Sequence, residues 1–183
     1  MKIIYNIFFI IFLVLTNFVV FADQNDPRLN RLFEKLNNTD DQEEINDLIS
    51  NIWNIWYEVD EPKLIEYFEK GIQAMNLRNY SLAIKFFNKL IAIDPNFAEA
   101  WNKRATVYFI MGDFDKSMND IIKTLDLEPR HFGALDGMSL IFIRNKQYEQ
   151  AIGVYDKMLE IFPYNLSTIK KKEHIRSLIS QST

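Results

Sequence analysis

Residues 98–131, AEAWNKRATVYFIMGDFDKSMNDIIKTLDLEPRH, decide the fold of this chain. Apolar side chains recur every three or four positions over 101–109 and again over 114–125. This spacing predicts two amphipathic helices. Gly112 lies between them, and glycine is the residue most often found just after the end of a helix. The stretch is therefore predicted to form a helical hairpin.

The hairpin pattern is repeated on both sides of this stretch. Pro95, Pro129 and Pro163 are spaced 34 residues apart, and a proline disfavours the helical conformation in the residue before it. The same spacing relates three apolar registers: Tyr80, Phe114 and Tyr148; Ile84, Met118 and Ile152; and Ile91, Leu125 and Leu159. A period of this length is typical of a solenoid in which each unit is one pair of helices.

The repeats resemble tetratricopeptide (TPR) repeats over about 100 residues. The family pattern is W-x2-L-G-x2-Y, then A-x3-F, then P. Gly71, Ala105 and Ser139 are the small residues expected where the paired helices approach each other. The positions that correspond to the pattern are Tyr67, Lys70, Gly71, Ala74, Ala83, Phe87 and Pro95; Trp101, Arg104, Ala105, Tyr108, Ser117, Ile121 and Pro129; and Leu135, Met138, Ser139, Phe142, Ala151, Tyr155 and Pro163.

We therefore predict an all-α fold, an α-solenoid of three TPR helix hairpins with an N-terminal helical hairpin and a C-terminal capping helix. The predicted units are the N-terminal hairpin at 23–63, TPR 1 at 64–97, TPR 2 at 98–131, TPR 3 at 132–165 and the capping helix at 166–183.

Two tryptophans, Trp53 and Trp56, lie in the second helix of the N-terminal hairpin. We expect them to cover the open end of the solenoid, because a terminal repeat must hide its apolar face. The alternative is a platform for a ligand.

Residues 1–22 form a separate segment. Lys2 precedes an uncharged apolar run that ends at Val20-Phe21-Ala22, where small residues occupy the positions that a signal peptidase requires. We predict a secretory signal peptide, with Asp23 as the first residue of the mature chain. The alternative is an uncleaved membrane anchor, because the apolar run is close to the ~20 residues that span a bilayer.

Particular sequence blocks also carry a resemblance. The arrangement LNRLFEKL…EEINDLISNIWNIW within 29–56, followed by WNKRAT…EPRHFGAL within 101–135, is similar to secreted TPR proteins of alphaproteobacterial type. That similarity implies a periplasmic or secreted protein after signal cleavage, or a membrane-anchored one that faces the periplasm.

Composition argues against several functional classes. The 183 residues have a formal net charge of −4 and contain no cysteine, which disfavours a nucleic-acid binder and excludes thiol chemistry. His131 has no acidic residue or second ligand at the spacing of a metal site, so it is expected to be a polar residue at a helix junction, and His174 is expected to be exposed. We expect no cofactor, no metal site and no enzymatic activity.

The resemblance implies that the first helix of each repeat lines a concave groove for a protein or peptide partner. An extended peptide or an amphipathic helix would suit that groove. The alternative is that several of its residues pack on neighbouring helices. The predicted partner-binding residues are Phe68, Ile72 and Met75; Asn102, Thr106 and Phe109; and Asp136, Leu140 and Ile143.

Some TPR domains hold a C-terminal carboxylate in a clamp of lysine, asparagine and arginine. The corresponding positions here are Phe68 and Ile72 in the first unit and Gly133 and Gly137 in the third, and Lys103 cannot replace the set. We predict that this chain does not recognise chaperone tails through such a clamp.

Three functions follow as hypotheses. The first is a non-enzymatic adaptor of the cell envelope, and the second is a membrane-tethered TPR assembly factor. The third is an enzyme subunit or a small-ligand binder, which would require a deep polar pocket.

Overall fold

The computed structural model describes residues 24–59 and 61–182, and the predicted signal peptide lies outside these residues. The described part is entirely helical. Its helices are α1 Pro27–Asn38, α2 Gln42–Tyr57, α3 Pro62–Asn76, α4 Tyr80–Ile93, α5 Ala98–Met111, α6 Phe114–Leu127, α7 Phe132–Arg144, α8 Tyr148–Ile161 and α9 Leu166–Ser182.

Helix starts follow from local side-chain chemistry. The side chains of Asp41, Asn79 and Asp113 each accept a hydrogen bond from a backbone N–H in the first turn of α2, α4 and α6. Such caps satisfy amide groups that have no partner within the helix. Gly112 ends α5 with φ 82°, a left-handed conformation that glycine adopts without a steric penalty.

The three hairpins stack in chain order. Helices α3 and α4, α5 and α6, and α7 and α8 pack in pairs, while α4 packs on α5, α6 on α7 and α8 on α9. The predicted all-α solenoid, with an N-terminal hairpin and a C-terminal helix, is therefore confirmed. Helix α3 begins at Pro62, two residues before the predicted start of TPR 1.

Small residues allow the paired helices to approach closely. A Cβ atom added at Gly71 of α3 would lie 2.5 Å from the ring of Phe87 on α4. In the next repeat, the Ser117 hydroxyl of α6 donates to the backbone oxygen of Ala105 in α5 across 2.9 Å. Ser139 of α7 is likewise fully buried. The side-chain volume at these positions therefore limits how closely each pair can pack.

The N-terminal hairpin lies along one edge of the solenoid. Gln24, just before α1, donates to the backbone oxygen of Asn96, and Asn30 accepts from Arg130. Asn37, near the end of α1, donates to the oxygen of residue 160. These contacts reach the two turns that link successive hairpins and the last turn of α8. The seven steps from residue 30 to residue 37 span about 10 Å of helix, which matches the spacing of packed helices.

The expected position of the two tryptophans was therefore wrong. Trp53 and Trp56 pack against His131 and Phe132 at the start of α7, in the middle of the chain, and do not cover the open end at α3. The buried core of the hairpin is continuous with Phe162, at the end of α8. The hairpin thus binds across the repeats and contacts the chain near the ends of α4, α6 and α8.

Within residues 24–59 and 61–182, none of the helices is both long enough and apolar enough to span a lipid bilayer.

Replacing Gly71 with alanine is expected to destabilise the fold by about 1–3 kcal/mol, because the added methyl group would overlap the fully buried ring of Phe87. Gly153 in α8 is the matched control, since a Cβ atom there meets nothing within 4 Å. There the substitution should stabilise the fold by about 0.5–1 kcal/mol through helix propensity. Chemical denaturation measures both changes. Two changes of the same sign would contradict the close approach of α3 and α4.

Candidate functional site

A narrow groove lies between α5 and α7, on the face formed by the first helices of the second and third hairpins. Its volume is about 160 Å³. Five of the nine predicted partner-binding residues line it: Asn102, Thr106, Phe109, Asp136 and Leu140. Spacings of three and four residues place each set on one side of its helix.

A second recess lies between the end of α2 and the middle of α3, with a volume of about 480 Å³. Phe68 and Ile72, both predicted partner-binding residues, line it together with Tyr57 and Lys103. Lys103 is on α5, beside Asn102 of the narrow groove. The two recesses therefore follow one another along the inner face of the solenoid.

The other two predicted residues line neither recess. Met75 packs against the core of the first hairpin. Ile143 packs against the core that α7 and α8 share with α9, which includes Leu178 and Ile179. These two side chains are half-buried, so they offer a partner less surface than Leu140, which is 40% exposed.

Polar side chains of the narrow groove already have partners within the described chain. Asn102 donates to Glu99 across 3.0 Å, and Thr106 donates to the backbone oxygen of Asn102 across 2.9 Å. Asp136 accepts from Lys171 of α9 across 2.6 Å. The surface that remains for a partner is therefore mainly apolar. The exposed residues on it are Leu140 and Thr106, whose hydroxyl group is already bonded.

Beneath the N-terminal hairpin, His131 joins α2, α5 and α7. The imidazole is fully buried and stacks on Trp56, with 4.2 Å between ring centroids. Its Nδ1 atom accepts the backbone N–H of Ala134, which caps α7. The hydrogen of a neutral ring then lies on Nε2, which is 2.9 Å from a carboxylate oxygen of Glu99.

His131 is a polar residue at a helix junction, as the sequence predicts, and the structure adds Glu99 as its acidic partner. Glu99 lies 32 residues earlier, close to one repeat length, and both residues are at the start of a first helix. Positions about one period apart are neighbours in a solenoid. A comparison of polar residues between adjacent repeats would therefore have suggested the pair.

Electrostatic interactions explain why the Glu99 carboxylate stays ionised although it is buried. Burial raises the pKa of Glu99, but the hydrogen bond from His131 and the positive charge of Lys103 outweigh it, and the pKa lies below its ordinary value. The Lys103 ammonium is 2.8 Å from the other carboxylate oxygen of Glu99. Burial lowers the pKa of Lys103, but the charge of Glu99 prevails and raises it. The two groups therefore stay charged together near neutral pH.

The same contacts bear on the carboxylate clamp. Lys103 also donates to the hydroxyl group of Tyr57 across 3.0 Å. Its ammonium group is therefore already bonded to both Glu99 and Tyr57. A Cβ atom added at Gly133 would lie 2.8 Å from the ring of Trp53. A side chain at residue 133 would therefore require the ring of Trp53 to move. The absence of clamp recognition remains a prediction.

Comparisons with known proteins agree on one family. Profiles described as tetratricopeptide repeat match residues 67–97 and 86–118. A TPR repeat-containing protein of Rhizobium etli is 34% identical over 139 residues, which are 74% of this chain and 67% of that protein. The Hsp70-Hsp90 organizing protein of Triticum aestivum is 29% identical over 106 residues, but this chain spans only 18% of its length.

Among solved structures, the first TPR domain of Spaghetti (RPAP3), bound to an HSP90 peptide, has the same fold. The TM-score is 0.61 at 23% identity, over 67% of this chain and 99% of that domain.

Glu99→Gln is expected to lower the free energy of unfolding at neutral pH by about 2 kcal/mol, because the buried Lys103 loses its counter-charge. The folded protein holds the pKa of Glu99 below the ordinary 4.5, so the carboxylate contributes stability above that pH. This contribution is lost as pH falls from 4.5 through the lowered pKa. The gap between wild type and variant should therefore narrow below pH 4.5. Urea denaturation at several pH values measures it, and a constant gap would contradict a charged Glu99.

Proposed function

This chain belongs to the tetratricopeptide repeat family, and on that premise we propose that it is a non-enzymatic adaptor or scaffold of the cell envelope. It would bind a segment of a partner protein on the inner face of its solenoid. The observation that carries this proposal is the pair of recesses along α3, α5 and α7, which contain seven of the predicted residues.

The shape of the inner face favours an extended partner segment. The groove holds about 160 Å³, which is less than the volume of one turn of an α-helix about 10–12 Å across with its side chains. An extended segment would place one apolar side chain between Phe109 and Leu140 and continue over Phe68 and Ile72. Peptide backbone groups would then stay near water, where their hydrogen bonds are satisfied.

Relatives support peptide binding as the mode of recognition. The Triticum aestivum relative is an Hsp70-Hsp90 organizing protein, and the Spaghetti (RPAP3) domain holds an HSP90 peptide. The proposal for this chain does not extend to a carboxylate clamp, since Lys103 is held by Glu99 and Tyr57. Recognition would instead rest on apolar side chains within the partner segment.

The proposed location in the cell envelope rests on residues 1–22. Cleavage after Ala22 would release the repeats into the periplasm or the medium. Retention of the apolar run would instead tether them to the membrane as an assembly factor. The groove would serve either form.

Intact-mass spectrometry of the protein from its native envelope, after cell fractionation, tests this location. We expect a mature chain that begins at Asp23, recovered in the periplasmic or secreted fraction. A chain that begins at Met1 or Lys2 and sediments with membranes would establish the tethered form. Recovery in the cytoplasm would contradict both forms.

Photo-crosslinking tests the groove itself. A photoreactive amino acid at Thr106 or at Leu140, both exposed, is expected to capture the same partner protein in native cells. Lys157, exposed on α8, is the control position and should capture nothing in common with them. In a chain that carries the photoreactive residue at Leu140, Thr106→Arg should abolish the crosslink by filling the groove.

The melting temperature of each variant shows whether the fold is intact. The groove assignment is wrong if Thr106→Arg leaves the crosslinked partner unchanged.

A further inference from the structure

The exposed face of the N-terminal hairpin carries a second groove, separate from the inner face of the solenoid. Its volume is about 410 Å³, within the range of sites that hold small ligands or peptide side chains. We call it the basic groove. It is lined by Arg28, Arg31, Leu32 and Lys35 of α1 and by Asn51, Asn54, Ile55 and Glu58 of α2.

The basic groove carries an excess of positive charge on a chain whose formal net charge is −4. Three cationic side chains and one carboxylate line it. Arg28 is already bonded to Asp26 and Glu58. Arg31 and Lys35 are exposed and form no ion pair with any residue in 24–59 or 61–182. Two positive charges are therefore available to an anionic ligand.

The uncharged lining adds a second kind of recognition. The side-chain amides of Asn51 and Asn54 form no hydrogen bond with another residue of the described chain, and each can donate and accept. Leu32 and Ile55 form an apolar floor between the two helices. Paired amides beside an apolar floor match a peptide backbone and its side chains better than they match a simple anion.

We propose that the basic groove binds an extended acidic segment of a partner protein, in which acidic and apolar residues alternate. Carboxylates two residues apart in an extended chain are about 6.6 Å apart. Arg31 and Lys35, four residues apart on α1, are separated by about 6 Å along the helix axis. Alternate carboxylates therefore face these two cations, while the intervening side chains face α2 and the apolar floor.

This binding is additional to the proposed function, because the basic groove shares no lining residue with the two recesses of the inner face. One partner with two segments, or two partners, would then occupy the same chain.

An anionic membrane surface is the competing occupant, and the hairpin disfavours it. The start of α2, at the end of the hairpin nearest Lys35, carries the exposed residues Asp40, Asp41, Glu43 and Glu44. A flat anionic surface that approached Lys35 would also meet these carboxylates and be repelled. A narrow peptide can enter the groove without reaching them.

Fluorescence anisotropy with a labelled peptide of three Glu-Ala-Glu-Leu repeats tests the proposal on the full chain. The double variant Arg31→Glu, Lys35→Glu should weaken binding at least about tenfold. The matched control is Lys85→Glu, Lys157→Glu, which makes the same charge change at exposed positions on α4 and α8 and should leave binding unchanged. Binding of the wild type should weaken with added salt, and a peptide with glutamine in place of glutamate should not bind.

Other outcomes would overturn the proposal. One is a wild-type chain that does not bind the acidic peptide, and another is equal weakening by the two double variants. A third is a preference for phosphatidylglycerol over phosphatidylcholine vesicles that depends on Arg31 and Lys35, with no such dependence for the peptide. Circular dichroism checks that each variant is folded. Thr106→Arg should leave peptide binding intact, so failure here is distinguishable from failure of the inner-face proposal.

Discussion

The buried carboxylate of Glu99 determines how the two parts of this chain fit together. A carboxylate in an apolar core is stable only when hydrogen bonds and an opposite charge compensate for the water that it has lost. Glu99 receives these from His131 and Lys103, which belong to the solenoid. Trp56 of the N-terminal hairpin then covers His131 and excludes water from the pair. The ion pair and the docked hairpin therefore depend on each other.

Most of the solenoid could be predicted from the sequence, because its contacts repeat. Gly71 and Phe87 meet within one hairpin, and the 34-residue period carries the same arrangement to Ala105 and Ser139. Periodicity reports contacts that recur between neighbouring units. It also fixes the helix ends, since Pro95, Pro129 and Pro163, and the capping residues Asn79 and Asp113, each occur one period apart.

The position of the N-terminal hairpin could not be predicted in the same way. Trp53 and Trp56 contact residues near 131, about 75 positions later, and no other unit repeats that contact. The general argument that a solenoid end must be covered pointed to α3, but it ignored the row of turns along the edge. That edge offers backbone oxygens, such as that of Asn96 before α5, which Gln24 reaches, and that of residue 160 at the end of α8, which Asn37 reaches. A single sequence gives no sign of which surface is covered.

The candidate groove was likewise predictable from the sequence only in part. The helix period placed Asn102, Thr106 and Leu140 on one side of α5 and α7, and they do line one groove. The helix period does not show which side chains other helices cover. Ile143 was therefore predicted as a partner-binding residue, although it is half-buried beside α9. By packing across the repeats, the hairpin places Tyr57 in the recess beside Phe68 and presents its own outer face, with Arg31 and Lys35, to solvent. The single docking mode that Glu99 stabilises therefore determines the form of both surfaces.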